Sequence, residues 1–419
     1  MLTVEEALEL VAKNVAPLAP RRAPLGEAAG LVLAEDMVSD VDSPPYTKSM
    51  MDGYAVLSSD RQPVRRVLEE VAAGAVPQRT VTTGSATRIM TGAPLPEGAD
   101  AVIHIEKTEL IDGGNSVRVH EIALQPGQHV LPRGAATRAG QAVLYAGAML
   151  RPVDIAILAE FGQSVVPVHG RPRVAVLPTG NELVPVGEKP AMGQIRNSNG
   201  PMLLAAVAQA SGEAIDCGVG RDDREDLRRR IEHGLAADIL LLSGGVSAGK
   251  YDLVPETLHE MDVEQVFHKV SLRPGKPLWF GIKREGKRRI LVFGLPGNPV
   301  SSFVCFELFV RPAIAALAGR GFAHPAAVTA KLRHAFEHAG GRAAYLPARA
   351  SMTFDSPAVV TASPERRARL AVLGGATVEI LNWQGSADIA ALAQANCLVR
   401  LPLERLSLKS GDAVEVLLV

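Results

Sequence analysis

The sequence of 419 residues has little cysteine, little aromatic content and almost no net charge. Its three scattered cysteines, Cys217, Cys305 and Cys397, cannot form a disulfide framework. They lack CxxC or CxxH spacing, so we expect buried small hydrophobes rather than metal ligands. With 44 basic and 45 acidic residues the formal charge is −1, and no global basic field favours nucleic acid as a partner. Any anionic ligand must therefore be captured by local groups.

Membrane spans, secretion signals and the common nucleotide-binding motifs are also missing. No segment predicts a membrane-spanning helix, and the start has neither the basic region nor the apolar core of a signal peptide. We therefore expect a cytoplasmic protein with no membrane partner. The absence of GxxxxGK[ST], GxGxxG and HExxH disfavours the ordinary phosphate-loop, dinucleotide and zinc-protease classes. The length indicates two to four domains.

The pattern of elements predicts a multidomain protein of α/β and β segments. A capping box at residues 3–6 opens a helix that ends before Pro17, and a second helix is expected over residues 25–33. Short β-branched runs between glycine and proline predict a β-rich second domain at 42–136. Alternating strands and helices predict a doubly wound α/β domain at 171–320, and short strands predict a small β-barrel at 321–419. Residues 1–41 with 137–170 would form an N-terminal linker domain.

Three apolar runs of the α/β segment each end in a glycine-punctuated polar turn. Residues 174–177 lead into 178–183, residues 239–242 into the turn that begins at Ser243, and residues 290–293 into 294–299. Open α/β sheets bind ligands outside the carboxyl ends of their strands, so we expect the three turns to converge on one crevice. The middle turn would hold an anion on its backbone N–H groups and deliver an acid, Asp252, just beyond.

Charged side chains in these turns are candidate site residues. Glu182 lies at a predicted strand end, where an acid favours a metal, a cation or ligand hydroxyls. Arg273 and Lys276 lie on a proline-stiffened turn that would clamp phosphate or another oxyanion, although a solvated turn is an alternative. The third turn precedes an apolar helix expected over residues 303–310, and backbone donors at its start would favour a negative group. The stretch over residues 294–302, which comprises that turn and the residues just after it, contains Pro296, Gly297, Asn298 and Ser301.

Two loops and an acidic pair add further candidates. Asp52, in the loop over residues 44–55, would serve a partner domain or subunit, although Asp52 and Gly53 also fit a simple turn. Thr91 lies in a loop dense in turn formers, which would bind a polar ligand or be structural. Asp222 and Asp223 precede a helix expected over residues 224–235 and fit its N-cap.

Seven motifs in order closely resemble the molybdopterin molybdenumtransferase family, also called MoeA and related to the gephyrin E domain. They cover residues 51–55, 90–98, 178–183, 193–199, 243–247 with Asp252, 273–277 and 295–301. The resemblance implies an elongated homodimer with a central MogA-like domain. Its active cleft would lie between the α/β domain of one subunit and the β-rich domain of the other. It also implies that adenylylated molybdopterin and molybdate give molybdenum cofactor and AMP, assisted by Mg²⁺ or a similar divalent cation.

The resemblance also implies roles for individual residues. Asp52, Glu182 and Asp252 would be catalytic, with Asp52 reaching in from the partner subunit. Glu182, Asp252 and one of Asp222 and Asp223 would hold the metal or polarise water. Arg273 and Lys276 would receive molybdate or phosphate, and residues 243–247 would cradle the nucleotide or the pterin. The expected substrate-binding residues are Thr91, Ser243, Gly244, Gly245, Ser247, Arg273, Lys276, Pro296, Gly297, Asn298 and Ser301.

One departure from the family pattern keeps an alternative open. The family usually has Arg-Gly-Glu-Asp where this chain has Arg133, Gly134, Ala135 and Ala136. Loss of the acidic pair would alter metal or substrate handling. It favours, as the alternative, a paralogue that binds the cofactor without turnover as a carrier or scaffold. A related adenylyltransferase shares the Ser-Gly-Gly loop, but it is normally a compact single domain, so the flanking β domains argue against it.

Overall fold

The computed structural model describes residues 1–120, 123–245, 253–323, 325–352 and 376–419. The chain forms two compact units. Unit 1 comprises Met1–Arg22, Gly30–Ala34 and Pro167–Val419, and unit 2 comprises Ala23–Ala29 and Glu35–Val166. The finer division into four domains stays a prediction.

Helices and strands are numbered here in chain order. The helices are α1 (Val4–Ala12), α2 (Pro152–Glu160), α3 (Asn199–Gln209), α4 (Arg224–Gly234), α5 (Leu253–Glu260), α6 (Pro299–Cys305), a π-helical segment (Phe306–Val310), α7 (Arg311–Leu317) and α8 (Ile389–Gln394). The strands up to residue 169 are β1 (Arg21–Pro24), β2 (Val32–Leu33), β3 (Met37–Val38), β4 (Lys48–Ser49), β5 (Gly53–Val56), β6 (Val64–Val71), β7 (Ser85–Ile89), β8 (Ala101–His104), β9 (Thr108–Ile111), β10 (Ser116–Val119), β11 (Val130–Leu131), β12 (Ala142–Leu144) and β13 (Val165–His169).

The later strands belong to unit 1. They are β14 (Arg173–Pro178), β15 (Leu183–Val184), β16 (Ile195–Arg196), β17 (Glu213–Asp216), β18 (Ile239–Ser243), β19 (Val263–His268), β20 (Leu272–Arg273), β21 (Trp279–Glu285), β22 (Arg288–Leu295), β23 (Ala327–Leu332), β24 (Phe336–His338), β25 (Ala343–Met352), β26 (Ala376–Ile380), β27 (Cys397–Leu401), β28 (Leu406–Leu408) and β29 (Ala413–Leu418).

The N-terminal helix begins where its capping box predicts. The Thr3 hydroxyl accepts from the Glu6 N–H at 3.1 Å, and the Glu6 carboxylate accepts from the Thr3 N–H at 2.8 Å. The prediction of a second helix over residues 25–33 is wrong. Only a 3₁₀ turn at Leu25–Glu27 forms, and β2 then pairs with β13 through Leu33 and Val168. Pairing with a distant strand has overridden the local helical pattern.

Unit 2 is built on one mixed sheet, as its β-rich composition predicts. Its strand order is β8-β5-β7-β6-β10-β9. Side chains alternate along β5: Tyr54 and Val56 pack into one apolar cluster, and Ala55 packs into another. A fully buried ion pair between Arg65 and Asp60, 3.4 Å apart, holds the loop that leads into β6.

The centre of unit 1 is the doubly wound α/β sheet expected from the sequence. Its strand order is β17-β14-β18-β22-β21-β19; the first four strands run parallel, and β21 is antiparallel to both of its neighbours. Alternate residues of β14 point to two different cores: Val174 and Val176 pack with α3, and Ala175 and Leu177 pack with α4. Helices on both faces bury both sides of the sheet, which explains its continuous apolar strands.

The C-terminal strands close into a five-stranded barrel. The pairings run β25-β26-β23-β29-β27, and β27 pairs back to β25. A short sixth strand, β20, comes from the α/β region and pairs parallel to β25, with Leu272 opposite Ala343 and Arg273 opposite Ala344. The barrel and the α/β core therefore share a strand pairing beside a predicted site residue.

The longest apolar helical stretch lies inside unit 1. Pro299–Leu317, with a mean hydropathy of 1.7 in its most apolar window, is long and apolar enough to cross a membrane, but 83% of that window is buried within the protein. Burial to this extent is typical of a helix in the core of a folded protein. The helix begins at Pro299, four residues before the predicted start.

Leu241→Ala tests how far the central sheet stabilises unit 1. Leu241 is fully buried in the larger core, so its truncation leaves a cavity and should lower the free energy of unfolding by about 2–5 kcal/mol. Urea denaturation followed by circular dichroism measures the change. As a control, Ile195→Ala at a side chain that is 56% exposed should change the stability by less than about 0.5 kcal/mol. Equal losses for the two variants would contradict the assignment of the core.

Candidate functional site

The carboxyl ends of three parallel strands lie at the same level of the central sheet. Pro178 at the end of β14 is opposite Ser243 of β18, and Ser243 is opposite Leu295 of β22. Just beyond, the Thr179 N–H donates to the Ser243 carbonyl at 2.9 Å, and the Gly244 N–H donates to the Leu295 carbonyl at 3.1 Å. The three polar turns therefore converge on one crevice, as the sequence predicts.

Buried side-chain hydrogen bonds tie the turns together. The Asn199 amide, at the start of α3, donates to the Ser243 hydroxyl at 2.8 Å and to the Gly297 carbonyl at 2.7 Å. The Ser302 hydroxyl lies 3.2 Å from that of Ser243 and donates to the Pro296 carbonyl at 2.6 Å. The turn at Gly297 is thus held against the Ser243 turn by neutral bonds that water does not compete for.

Two buried polar atoms at this crevice have no partner within the described part of the chain. They are Thr179 Oγ1 and Asn199 Oδ1, in residues that are 2% and 8% exposed. Thr179 lies under the glycine turn, since its carbonyl oxygen is 2.6 Å from where a Cβ on Gly244 would be. Buried polar atoms are normally paired, so these two mark incomplete hydrogen bonding beneath the Ser243 turn.

The turn that carries Glu182 is fixed by Arg221, a residue that the sequence did not single out. One guanidinium nitrogen of Arg221 donates to the carbonyls of residues 180, 181 and 183, at 3.4, 3.3 and 2.9 Å. The Arg221 N–H donates to Asp226 at 3.0 Å. Burial opposes ionisation of Asp226, but that N–H and the guanidinium groups of Arg229 and Arg230 lower its pKa to about 2. The Glu182 carboxylate itself is exposed.

The acidic pair after Arg221 divides into two roles. Asp223 is the N-cap of α4, as its spacing predicts: its Oδ1 accepts from the N–H groups of Glu225 and Asp226 at 3.1 and 2.9 Å. Asp222 is exposed and accepts from the Asn181 N–H at 3.3 Å, beside the Glu182 turn. Among the described residues, no three acidic, histidine or cysteine side chains cluster as a ready-made metal site.

A cavity of about 410 Å³ brings together most of the predicted oxyanion and third-turn residues. Its lining includes three cationic side chains, Arg273, Lys276 and Arg342, and none of its described lining residues is acidic. The other lining residues are Pro274, Gly275, Pro277, Pro296, Asn298, Ser301, Trp383, Gly385 and Ser386. A concave, cationic and polar surface of this kind fits an anionic ligand.

The C-terminal barrel supplies the part of this lining that the sequence did not predict. Pairing of β20 with β25 places Arg342 beside the turn of Arg273, where Arg342 donates to the Leu272 carbonyl at 3.4 Å. Ser386 accepts from the Asn298 amide at 2.8 Å. Arg342 follows a Gly-Gly turn and Ser386 lies in a loop, so neither has a local spacing that would reveal its role.

Asp52 and Thr91, two predicted site residues of unit 2, lie together. One carboxylate oxygen of Asp52 accepts from the N–H of Thr91 at 2.7 Å and from its hydroxyl at 2.8 Å. These two bonds lower the pKa of Asp52 below its ordinary value, so the side chain stays a carboxylate. Both residues are exposed.

The Ala135–Ala136 departure falls in a loop that backbone bonds define. Gly134 and Ala136 donate their N–H groups to the carbonyls of Pro44 and Ser43, both at 2.9 Å. Ala135 and Ala136 are exposed. Ser247 and Asp252, predicted for the middle turn, lie outside the described residues.

Comparisons with known proteins cover the whole chain. Residues 2–162 match the MoeA N-terminal region (domain I and II), residues 175–316 match a probable molybdopterin binding domain, and residues 329–419 match the MoeA C-terminal region (domain IV). The chain is 32% identical to proteins named molybdopterin molybdenumtransferase from Staphylococcus aureus and Staphylococcus epidermidis. The alignment of 428 residues covers 100% of this chain and 95% of each relative.

Solved structures agree with the sequence comparison. Two crystal structures of the molybdopterin biosynthesis MoeA protein from Pyrococcus horikoshii superpose with TM-scores of 0.81 and 0.78, at 31% and 29% sequence identity. The first covers 100% of this chain and 99% of that chain, and the second covers 100% of both.

Gly275→Ala tests the shape of the cationic turn. Gly275 has φ of +120°, and a Cβ there would lie 2.7 Å from the sulfur of Cys305 and 2.8 Å from Leu272. The turn must move, so affinity for a tetrahedral oxyanion such as molybdate should fall about tenfold or more, which is about 1.4 kcal/mol. Isothermal titration calorimetry measures it.

Gly286→Ala is the matched control. Gly286 also has a positive φ, +61°, but a Cβ there would meet nothing within 4 Å. Both variants strain an L residue at positive φ, but only Gly275→Ala also meets neighbouring atoms at less than 3 Å, so only that variant should lose affinity. Equal affinities would show that the turn does not shape the oxyanion site.

Thr91→Val tests the control of Asp52 ionisation. The variant keeps the backbone bond and removes the hydroxyl bond, so the pKa of Asp52 should rise towards its ordinary value. Because the native pKa is lowered, these bonds stabilise the fold above the unfolded pKa, and the effect is lost as pH falls through the native one. Carbon-13 NMR titration of the carboxyl measures the shift. Thr108→Val, whose hydroxyl bonds the Ile105 carbonyl instead, should leave it unchanged.

Proposed function

This chain belongs to the molybdopterin molybdenumtransferase family, and from that premise we propose that it inserts molybdate into adenylylated molybdopterin with release of AMP. It is a transferase of molybdenum cofactor biosynthesis. The observation that carries the specific reaction is the cavity lined by Arg273, Lys276 and Arg342, with no acid among its described lining residues, which suits a dianionic tetrahedral oxyanion. We place the reaction in the cytoplasm.

Molybdate binding is assigned to this cavity on grounds of charge. Two of its cations are guanidinium groups, whose planar N–H donors can form bidentate hydrogen bonds with two oxyanion oxygens. The third cation is an ammonium group. Ser301 and Ser386 add hydroxyl donors for the remaining oxygens. Prolines on both sides of the cationic turn limit the entropy lost when the anion binds.

The nucleotide or pterin is assigned to the crevice at the three strand ends. There the Ser243-Gly244-Gly245 turn would present its backbone to the ligand, above the unpartnered Thr179 Oγ1 and Asn199 Oδ1. The Gly297 turn borders both the crevice and the cavity, because its carbonyl bonds Asn199 while Asn298 lines the cavity. The phosphate in the crevice and the oxyanion in the cavity would thus both lie beside the Gly297 turn.

Mg²⁺ is assigned to Glu182 and Asp222, with Asp252 as a further expected ligand. Glu182 and Asp222 are exposed carboxylates on neighbouring turns, and Mg²⁺ commonly binds to one or two carboxylates together with substrate phosphates. Asp223 is the weaker candidate because one of its oxygens caps α4. When bound, the cation would neutralise phosphate charge as the anhydride is cleaved.

Asp52 and Thr91 are assigned to the active site of a partner subunit in a homodimer. Their support is the family resemblance, together with the ionised, exposed carboxylate that Thr91 holds in place. A carboxylate fixed in this way can orient water or a substrate hydroxyl without first losing a proton.

The direct test is AMP release by the purified protein from adenylylated molybdopterin, with and without molybdate and Mg²⁺. Release that depends on molybdate supports the transferase and shows that the acidic pair absent at Ala135 and Ala136 is dispensable. Tight binding of both substrates without AMP release would contradict the proposal and favour a carrier. Restoring Glu and Asp at those exposed positions, where the backbone defines the loop, would then be the next experiment.

Arg342→Ala tests the contribution of the barrel. Loss of a charged donor to the oxyanion costs about 1.5–3 kcal/mol, so the KM for molybdate should rise roughly 10–150-fold while the KM for adenylylated molybdopterin changes far less. Steady-state AMP release gives both constants. Arg349→Ala, an exposed arginine of β25 that bonds the Gln394 carbonyl, is the matched control and should be neutral. An unchanged KM for molybdate in Arg342→Ala would remove Arg342 from the site.

A further inference from the structure

The cationic cavity is larger than the oxyanion that it is proposed to hold. A tetrahedral oxyanion has four oxygens, and at the roughly 10–15 Å³ of cavity volume that one water-sized group needs, it takes up roughly 40–60 Å³. The cavity measures about 410 Å³, which lies in the range of sites for organic ligands. More than half of the space therefore remains for another part of the substrate.

Trp383 is the aromatic residue among the described residues that line this cavity. Its side chain is half-buried and packs on both the α/β core and the barrel core, so the ring is supported from behind. This position lies outside the seven motifs of the family, the last of which ends at residue 301. The Trp383 ring therefore adds a flat apolar surface beside three cations. Binding of an oxyanion by charge would not need such a surface.

Hydrogen bonds on the chain after Trp383 hold that wall in place. The Gln384 N–H donates to the Asp388 carboxylate at 2.9 Å, and the Asp388 N–H donates to the Gly385 carbonyl at 3.0 Å. The Ser386 carbonyl accepts from the Val300 N–H at 3.1 Å, which joins the segment to α6. The ring is thus positioned before any ligand arrives, and a pre-positioned surface loses little entropy on binding.

We propose that Trp383 binds the planar ring system of molybdopterin by stacking, next to the oxyanion. This inference rests on the proposed function and names the part of the substrate that fills the remaining volume. The molybdenum ends on the pterin product while AMP departs, so the pterin moiety must reach the oxyanion cavity. Adenine is the other planar ring of the substrate, and the experiment separates the two.

The test compares ligand affinities of Trp383→Leu and Trp383→Phe by isothermal titration calorimetry. Leu is apolar but not planar, so adenylylated molybdopterin should bind at least about tenfold more weakly to Trp383→Leu, whereas Phe should restore affinity to within about threefold. Molybdate and AMP, each titrated alone, should bind both variants as they bind the wild type. A purely structural role would not distinguish Phe from Leu in this ligand-specific way.

Trp279→Phe is the control for loss of a tryptophan. Trp279 is 2% exposed in β21 and bonds Gln265, outside the cavity lining, so its substitution should leave all three affinities unchanged. Circular dichroism establishes that each variant is folded.

Three outcomes would overturn the inference. Wild-type affinity for adenylylated molybdopterin in Trp383→Leu would remove the stacking role. A matching loss for molybdate would make Trp383 a support of the oxyanion site, and a loss for AMP that matches the loss for adenylylated molybdopterin would assign the ring to adenine. Failure of the proposed function is a separate result, because wild-type protein would then release no AMP in the presence of molybdate.

Discussion

The common level at which three parallel strands end is the constraint on which the site depends. Backbone pairing fixes Pro178, Ser243 and Leu295 side by side. The turns that follow these residues therefore lie at the same edge of the sheet. Asn199 and Ser302 then bridge those turns with buried bonds. A change that shifted one strand by a residue would separate the Ser243 turn from the Gly297 turn and disrupt both ligand regions.

Local sequence signals predicted this part of the site because each strand and the turn after it are formed by consecutive residues. An apolar run followed by a glycine turn is visible without knowing the fold, and a parallel sheet places such turns together. The N-cap of α4 and the capping box of α1 were predictable for the same reason, since each involves residues within three positions of one another.

What the sequence did not reveal depends on distant contacts. Arg342 reaches the cavity because β25 pairs with a strand that lies 70 residues earlier, and Ser386 bonds a residue 88 positions away. Arg221 supports the Glu182 turn across about 40 residues. The mistaken helix at residues 25–33 has the same origin, because β2 forms only through its pairing with β13. No local pattern encodes such pairings.

The parallel pairing of β20 with β25 has a consequence for how unit 1 responds to its ligands. Only two residues of β20 form the pairing, but the larger hydrophobic core also extends from the α/β sheet into the barrel through Tyr345, Leu398 and Leu417. The barrel and the α/β sheet are therefore already joined by shared packing. An anion held by Arg273 and Lys276 on one side and Arg342 on the other would stabilise both parts at once, because it binds only where they lie together.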